Sequence, residues 1–349
     1  MHRILSLFIL VAMSAVAPFC GTSDAGLSMW GFTLDGYPVT RDRLKGIESD
    51  TGLRSDIIVF FLQWPSDGDP NSGEFPLESL ETITASGSLP CITWEPMHIK
   101  GGKEIAISHT DLLSGRYDRY ITRFADKARS WNKPVLIRFA HEMNLERYHW
   151  GTTEDQYGPE SPAIYRRMYI YIVDIFRRSG AGNVLWVFCP NAESVPSTSY
   201  DPSASWNTLS NYYPGDSYVD ILGVDGYNWG TTRKKAIHGW ESRWRTFREI
   251  FEAPITELRG LSTSAAGKPL IVFETATVGA GGNKNEWIGD ALTAAGRSGI
   301  DGIVWFQSDK EVDWRIESAS DGSYVGALQH ARGSRRDRLK ELLERGKQP

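Results

Sequence analysis

The chain has 349 residues, of which 41% are hydrophobic and 23% charged, and its formal net charge at pH 7 is -5. This composition is typical of a globular protein with a sizeable core, and it lacks the basic excess by which nucleic-acid-binding proteins neutralise phosphates. A nucleic-acid partner is therefore not expected. The length is compatible with one large α/β barrel.

The amino-terminal segment MHRILSLFILVAMSAVAPFCG begins with the basic residues His2 and Arg3 and continues as an apolar run over residues 4–17. Because this run is too short for a permanent membrane span, the pattern predicts a secretory signal peptide over residues 1–25. Cys20 leaves a lipid anchor as an alternative. We expect a protein exported to the periplasm or the extracellular space, without a permanent membrane span.

Eight apolar runs follow, each succeeded by a longer amphipathic stretch. The runs are nearly continuous rather than alternating, as in parallel strands that are covered on both faces. In chain order they read LSMWGFTL, DIIVFFLQW, PCITWEP, PVLIRFAHEMN, NVLWVFCPN, VDILGVDGYNW, KPLIVFETA and DGIVWFQ. Eight strand and helix repeats predict a (β/α)8 TIM barrel, an α/β fold formed as a single domain over residues 26–332. The charged segment 333–349 is predicted to be a terminal helix.

The mature chain would retain two cysteines, Cys91 and Cys189. Cys91 opens the third apolar run, whereas Cys189 closes the fifth, so the two residues should lie at opposite ends of the sheet layer. A disulfide requires the two Cα atoms to be within about 7 Å. We therefore expect two free, buried thiols.

Polar and aromatic residues cluster at the carboxyl ends of the predicted strands, where barrel enzymes carry their chemistry. The fourth run ends in IRFAHEMN, which brings Arg138, His141 and Glu142 close together. The other residues at strand ends are Trp30, Gln63, Trp64, Trp94, Glu95, Asn144, Asn191, Asp225, Tyr227, Asn228, Trp229, Glu274 and Trp305. The convergence predicts a functional site on this rim.

Glu142 and Glu274 end the fourth and seventh runs, which lie across a barrel from each other. Retaining cleavage of a glycosidic bond needs an acid and a carboxylate nucleophile about 5–5.5 Å apart. Apolar surroundings and a facing anion would raise the pKa of Glu142 and keep it protonated. Hydrogen bonds from Tyr227 and Arg138 would keep Glu274 ionised. Either glutamate alone could instead be a helix cap or part of an ion pair.

Four segments resemble glycoside hydrolase family 26, and the likeness covers residues 27–330. The segments are PVLIRFAHEMN, YYPGDSYVDILGVDGYNW, KPLIVFETA and GIVWFQSDKEVDWRIES. The resemblance implies a retaining endo-β-glycosidase that acts on a β-1,4-linked polysaccharide, mannan or glucomannan first, without a cofactor. It implies Glu142 as general acid/base and Glu274 as nucleophile. A mixed-linkage β-glucanase and a β-1,3-xylanase with the same catalytic pair are the alternatives.

The resemblance also implies that several residues bind substrate. His141 would hydrogen-bond the sugar, Asp225 would shape its subsite, and Tyr227 would orient the nucleophile. Trp305 would form the floor under the cleaved residue. The segment LERYHWG after Glu142 differs from the Trp-rich loop of many mannanases of this family. The identity of the polysaccharide substrate is therefore not decided by the resemblance.

Other strand-end residues have two interpretations each. Trp94 and Trp150 are candidate sugar platforms or core packing, and Arg138 is either a structural ion-pair partner or a residue that tunes the nucleophile. His141 lacks an HExxH context, since the residue four positions on is Leu145, so no metal site is predicted.

Two expectations concern partners. The chain should act as a monomer on a polysaccharide substrate. A carbohydrate-binding protein on an inactive barrel is the alternative outside the enzymes. Decay of an enzyme should remove one of the two carboxylates first, because a buried unpaired acid is costly.

Overall fold

The computed structural model describes residues 27, 29–66, 72–150 and 157–316. The predicted signal peptide and the predicted carboxyl-terminal helix lie outside these residues, so both stay predictions. Among the described residues, no helix is sufficiently long and apolar to cross a membrane.

Eight parallel strands close into a barrel, and two further strands form an antiparallel hairpin. Numbered along the chain, the strands are β1 Met29–Leu34, β2 Ile57–Gln63, β3 Leu89–Glu95, β4 Met97–Lys100, β5 Lys103–Ala106, β6 Val135–Phe139, β7 Val184–Phe188, β8 Ile221–Asp225, β9 Leu270–Thr275 and β10 Gly302–Phe306. Around the barrel the order is β1-β2-β3-β6-β7-β8-β9-β10, and β10 pairs with β1. The predicted (β/α)8 fold is confirmed.

Amphipathic helices cover the outside of the barrel. They are α1 Arg41–Thr51, α2 Leu77–Ala85, α3 His109–Leu113, α4 Asp118–Trp131, α5 Ser161–Arg178, α6 Leu209–Tyr212, α7 Lys235–His238, α8 Phe247–Arg259, α9 Thr263–Gly267 and α10 Lys284–Arg297. In α4, the residues at helical spacing on one face are Tyr120, Ile121, Phe124, Ala128 and Trp131; the first four are buried and Trp131 is partly buried. Asp118 lies in the first turn, where its negative charge is favourable beside the positive end of the helix dipole.

Alternation along the strands separates two hydrophobic layers. The barrel interior contains Met29, Ile57, Val59, Cys91, Leu136, Leu185, Val187, Cys189, Ile221, Ile271, Phe273 and Val304. The larger layer fills the space between the barrel and the helices. Both described cysteines are buried and free, as expected.

Candidate active site

One large cavity, about 1190 Å³ in volume, lies at the carboxyl end of the barrel strands and is lined by both Glu142 and Glu274. Its volume exceeds the range of about 300–1,000 Å³ that is usual for small-molecule pockets. Each of the eight barrel strands, or the segment that follows it, contributes to the walls, and so does the β4–β5 hairpin. The cavity therefore suits an extended ligand.

Glu142 reaches the cavity because the backbone turns sharply after β6. Ala140 and Glu142 both adopt positive φ, 47° and 50°, which L-residues seldom do. The amide of Glu142 donates to the carbonyl of Cys189 at 2.8 Å, and this bond anchors the turn to β7. The amide nitrogen of the Asn191 side chain donates to Oε1 of Glu142 at 2.6 Å.

Electrostatics distinguish this carboxyl from an ordinary glutamate. Burial and then the charge of Glu274 raise the pKa of Glu142 to about 7, against the opposing hydrogen bond from Asn191. The direction of this shift and its two causes agree with the expectation from the sequence. A carboxyl with this pKa is protonated through the acidic range and is suited to donate a proton.

Glu274 is held by two donors. The Tyr227 hydroxyl donates to its Oε2 at 2.5 Å, and Nη2 of Arg138 donates to its Oε1. Burial and the charge of Glu274 raise the pKa of Tyr227 well above its usual value, so the phenol keeps its proton and remains a donor. Both predicted partners of Glu274 are present.

Glu274 would face the helix layer if β9 were regular, because Phe273 already points into the barrel. The register between β8 and β9 shifts by one residue between Val224 and Asp225, so that Asp225 pairs with Glu274. A bulge of this kind re-aims the following side chain. It explains how two successive residues of β9 both point inward.

Arg138 is completely buried and bridges two acids. Its Nη1 donates to Asp225 at 2.5 Å, and its Nε donates to the hydroxyl of Thr93 at 2.9 Å. Burial alone would lower the pKa of Arg138, but Asp225 and Glu274 raise it well above its usual value. The guanidinium is therefore a fixed positive charge beside Glu274.

Asp225 does not contact the cavity, which corrects the expectation that it shapes a sugar subsite. It is completely buried, its Oδ2 accepts from Arg138, and its Oδ1 accepts from the thiol of Cys189 at 3.2 Å. Both oxygens are thus used inside the protein. Asp225 orients Arg138 rather than substrate.

His141 lies beside Glu274, with its Nε2 4.0 Å from Oε1 of the carboxylate. Its ring nitrogens are buried and have no hydrogen-bond partner among the described residues. Burial, followed by the charge of Arg138, lowers its pKa well below the usual value, so the ring is neutral. A neutral imidazole offers one donor and one acceptor.

A metal ion does not suit this cluster. Donor atoms of His141, Asp225 and Glu274 lie within 4.8 Å of one another, as metal ligands would. The guanidinium of Arg138, however, is bonded to both carboxylates and supplies the positive charge that an ion would bring. The prediction of no metal site among these residues is consistent with this chemistry.

Three predicted sugar platforms are core residues instead. Trp94 and Trp305 face the helices because their neighbours along the strand face inward; Trp94 stacks on Phe124, and Trp305 stacks on Trp30. Trp150 is buried, donates to the carbonyl of His141 at 2.6 Å and stacks on Tyr148 at 4.6 Å. It supports the cavity wall and presents no face to the cavity.

Other residues occupy the positions that those tryptophans were expected to fill. Phe306, the inward neighbour of Trp305, lines the cavity together with Trp314. The Trp314 ring lies 5.0 Å from that of Tyr227. Strand alternation carried two residues past the inward-facing Val304 would have indicated Phe306, whereas no sequence signal indicated Trp314.

Tyr148, in the loop after Glu142, also lines the cavity. So does Glu95, which the sequence places near the rim as an additional carboxylate without assigning it a role in the site. Glu95 is buried beside Gln63, whose side-chain amide donates to it at 2.5 Å. Burial raises the pKa of Glu95 to about 7. It is a third carboxyl in the cavity.

Together the fold and the paired carboxylates define a barrel of the glycoside hydrolase class. Residues 105–242 match the sequence profile described as Glycosyl hydrolase family 26. Endoglucanase H of Acetivibrio thermocellus is 32% identical over 306 residues, which cover 86% of this chain and 30% of that protein. A mannan endo-1,4-beta-mannosidase of Bacillus subtilis is 29% identical over 180 residues, covering 47% of this chain and 46% of that protein.

Solved structures share the fold. A family 26 β-mannanase of Bacteroides ovatus superimposes with a TM-score of 0.58 at 18% identity, covering 88% of this chain and 89% of that one. A Bacillus subtilis mannanase gives a TM-score of 0.58 at 18% identity, covering 87% and 85%. The chain spans less than half the length of the two curated relatives described above. With these matches, the chain belongs to glycoside hydrolase family 26.

Proposed function

We propose that the protein is a retaining endo-β-glycosidase that cleaves a β-1,4-linked polysaccharide, mannan or glucomannan first. The observation that carries the proposal is the pair of buried carboxyl groups in one cavity with opposite environments. Glu142 has a pKa raised to about 7, whereas Glu274 accepts hydrogen bonds from Arg138 and Tyr227. Two carboxyl groups in contrasting environments are the requirement of glycoside hydrolysis by double displacement.

In the first step, Glu142 protonates the leaving glycosidic oxygen while the Glu274 carboxylate attacks the anomeric carbon. A covalent glycosyl-enzyme forms, and the leaving sugar departs with the proton. In the second step, the ionised Glu142 removes a proton from water, which attacks the same carbon and frees Glu274. The water supplies the hydroxyl that replaces the departed glycosidic oxygen on the anomeric carbon, and its proton restores the acid form of Glu142.

Neighbouring groups support these steps. Arg138 and Tyr227 fix the orientation of Glu274 by hydrogen bonds to its two carboxylate oxygens. His141 lies 4.0 Å from Oε1 of Glu274, but it is buried and does not line the cavity, so it packs beside the nucleophile and is not retained as a sugar contact. Tyr148 hydrogen-bonds Glu142 and so connects the loop after Glu142 to the proposed proton donor.

A second candidate is an endo-β-glucanase with the same catalytic pair. The match to endoglucanase H covers 86% of this chain, whereas the match to the Bacillus subtilis mannosidase covers 47%. The two candidates differ in the sugar that the cavity accepts: mannose has an axial 2-hydroxyl and glucose an equatorial one. The mechanism is the same for both.

The test is hydrolysis of mannan, glucomannan, mixed-linkage glucan and β-1,3-xylan. The reducing ends that are released measure the rate on each polymer. We expect a β-1,4-linked mannan or glucomannan to be cleaved fastest and the first product to keep the β configuration by NMR. A folded protein without activity on all four polymers would contradict the proposal. Greater activity on mixed-linkage glucan would select the second candidate.

Substitution separates the two roles. Glu142→Gln and Glu274→Gln should each reduce kcat on polymer by about 10²–10⁴-fold. On an aryl glycoside whose leaving group needs no protonation, Glu142→Gln should recover most of its activity, whereas Glu274→Gln should not. Equal behaviour of the two variants on this substrate would reject the assignment.

Export and a monomeric state are part of the proposal. The amino-terminal sequence pattern supports export. Amino-terminal sequencing of protein recovered outside the cytoplasm should find a chain shortened at about residue 25, and gel filtration should give the mass of one chain.

A further inference from the structure

The exposed aromatic side chains of the described residues all lie at the same cavity. Tyr37, Tyr200 and Trp240 are 49%, 64% and 45% exposed. Each of the three lines the cavity that holds Glu142 and Glu274. Exposed rings gathered at one cleft, rather than scattered over the surface, indicate that a ligand covers them.

Tyr37 is held rigidly although half of it is exposed. Its ring stacks on that of Phe60, with centroids 6.1 Å apart and planes inclined by 20°. Its hydroxyl is hydrogen-bonded to Ser79, and Arg43 donates to the carbonyl of Gly36 at 3.0 Å, which braces the turn. A ring fixed before the ligand arrives loses little conformational entropy on binding.

Trp240 ends a continuous series of aromatic rings. It packs edge-on against Trp229 at 5.5 Å, and Trp229 packs against Trp314 at 4.8 Å. Trp314 in turn contacts Tyr227, the donor to Glu274, at 5.0 Å. The Arg233 guanidinium lies 4.4 Å from the centroid of the Trp229 ring and fixes its position. The series runs from the nucleophile to the rim.

The two rings stand on opposite sides of the catalytic pair. Glu142 follows β6 and Glu274 lies at the end of β9, so β7 and β8 separate them on one side of the barrel and β10, β1, β2 and β3 on the other. Trp240 belongs to the segment after β8, and Tyr37 follows β1 directly. A chain lying between the two glutamates could reach both rings.

We propose that Tyr37 and Trp240 are outlying sugar-binding platforms at the two ends of the cleft. Each ring stacks on the apolar C–H face of one pyranose of a β-linked hexose polymer, and the scissile bond lies between them. The identity of the ligand rests on the proposed function. Tyr200 is not included, because its ring contacts no other ring among the described residues.

Binding is the first test, in a Glu142→Gln background that prevents digestion. Tyr37→Ala and Trp240→Ala should each weaken retardation by mannan, glucomannan or mixed-linkage glucan in native affinity gels by about five- to tenfold. The matched controls are Leu77→Ala and Ile237→Ala. These side chains are 46% and 73% exposed in the same regions but do not line the cavity, so binding should change less than twofold.

Kinetics of the otherwise wild-type enzyme is the second test. Both platform variants should lower kcat/KM on polymer by a similar factor and leave hydrolysis of an aryl β-disaccharide unchanged, because the short substrate does not reach the rim. In the double variant, the loss of kcat/KM should equal the product of the losses in the two single variants, since the two residues are far apart. An unchanged affinity, an equal loss in the controls, or an equal loss on the short substrate would overturn the platforms.

The two proposals fail in different ways. If the parent binds and cleaves polymer while both platform variants behave like the parent, the platforms are wrong and the proposed function stands. If the folded parent neither binds nor cleaves any of the polymers, the proposed function and the platforms are both wrong. Thermal unfolding of each variant within a few degrees of the parent would confirm that the substitutions leave the fold intact.

Discussion

The guanidinium of Arg138 donates to Thr93, Asp225 and Glu274 inside the barrel, so one buried cation sets the position of the proposed nucleophile. Buried ion pairs add little net stability compared with apolar packing, but breaking one leaves an uncompensated charge in a medium of low polarity. The value of this cluster lies in orientation. Asp225 takes part in it without any access to substrate.

Replacing Asp225 by Asn should lower the free energy of unfolding by about 3 kcal/mol, because Arg138 then loses one of its two counter-charges. It should also lower kcat at least tenfold, since Arg138 no longer holds Glu274 in a single position. Urea unfolding and polymer kinetics measure the two effects. Asp220→Asn is the matched control: Asp220 accepts from the amide of Trp186 and pairs with no buried cation, so its loss should be under about 1 kcal/mol.

Asn191 tunes the proton donor. Because its amide bonds the ionised form of Glu142, it lowers the pKa that burial and Glu274 raise to about 7. Activity depends on the protonated acid, so kcat/KM should fall as the pH rises through about 7. Asn191→Ala should move this limb to higher pH and leave the acid limb in place. A shift to lower pH, or none, would show that another group controls the limb.

Both strands that present the proposed catalytic carboxyl groups end irregularly. After β6 the chain takes positive φ at Ala140 and Glu142, and in β9 an extra residue turns Glu274 inward. Regular strands would send one or both side chains towards the helices. Backbone irregularity at these two places is therefore part of the site.

The close approach of β1 to β2 requires a glycine at position 31. A Cβ on Gly31 in β1 would lie 2.0 Å from the Ile57 carbonyl oxygen of β2, whereas a Cβ on Gly46 in α1 would meet nothing within 4 Å. Gly31→Ala should lower the free energy of unfolding by about 3 kcal/mol or more, because the strands must separate.

The matched change Gly46→Ala should raise that free energy by about 0.5–1 kcal/mol, since alanine favours the helix. Thermal or urea unfolding of both variants gives the comparison. Effects of the same sign would show that strand packing at Gly31 is looser than the backbone indicates.

At the scale of the whole molecule, the site exists only when the barrel is closed. Glu142 and Glu274 are supplied by β6 and β9, which β7 and β8 separate, and the β1–β10 pairing completes the ring. Activity and tertiary structure should therefore be lost in the same cooperative transition.

Urea titrations followed by polymer hydrolysis and by the fluorescence of the 13 tryptophans should give coincident midpoints. Activity must be measured at the urea concentration of each point. As the control, the polysaccharide substrate should be shown to be unaffected by urea at those concentrations. Loss of activity well before the change in fluorescence would mean that the site opens locally while the barrel persists.

The sequence by itself determined the barrel and the residues nearest to the chemistry. Continuous apolar runs predicted covered parallel strands, and eight of them predicted closure. The polar residues that interrupt those runs at their ends meet as expected: Glu142, Tyr227 and Glu274 line one cavity, and the buried Arg138 donates to Glu274 from inside the barrel. Burial of a polar side chain is expensive, so its place in an apolar run was informative.

Only the tertiary structure decided which face each strand-end residue presents. Trp94, Trp150 and Trp305 are core, Asp225 is internal, and Glu95 enters the cavity. An aromatic ring is equally suited to a core and to a sugar platform, so composition could not separate the two roles. The deciding factors were strand alternation, the bulge in β9 and the loops that fold over the rim, which depend on the register between strands distant in the chain.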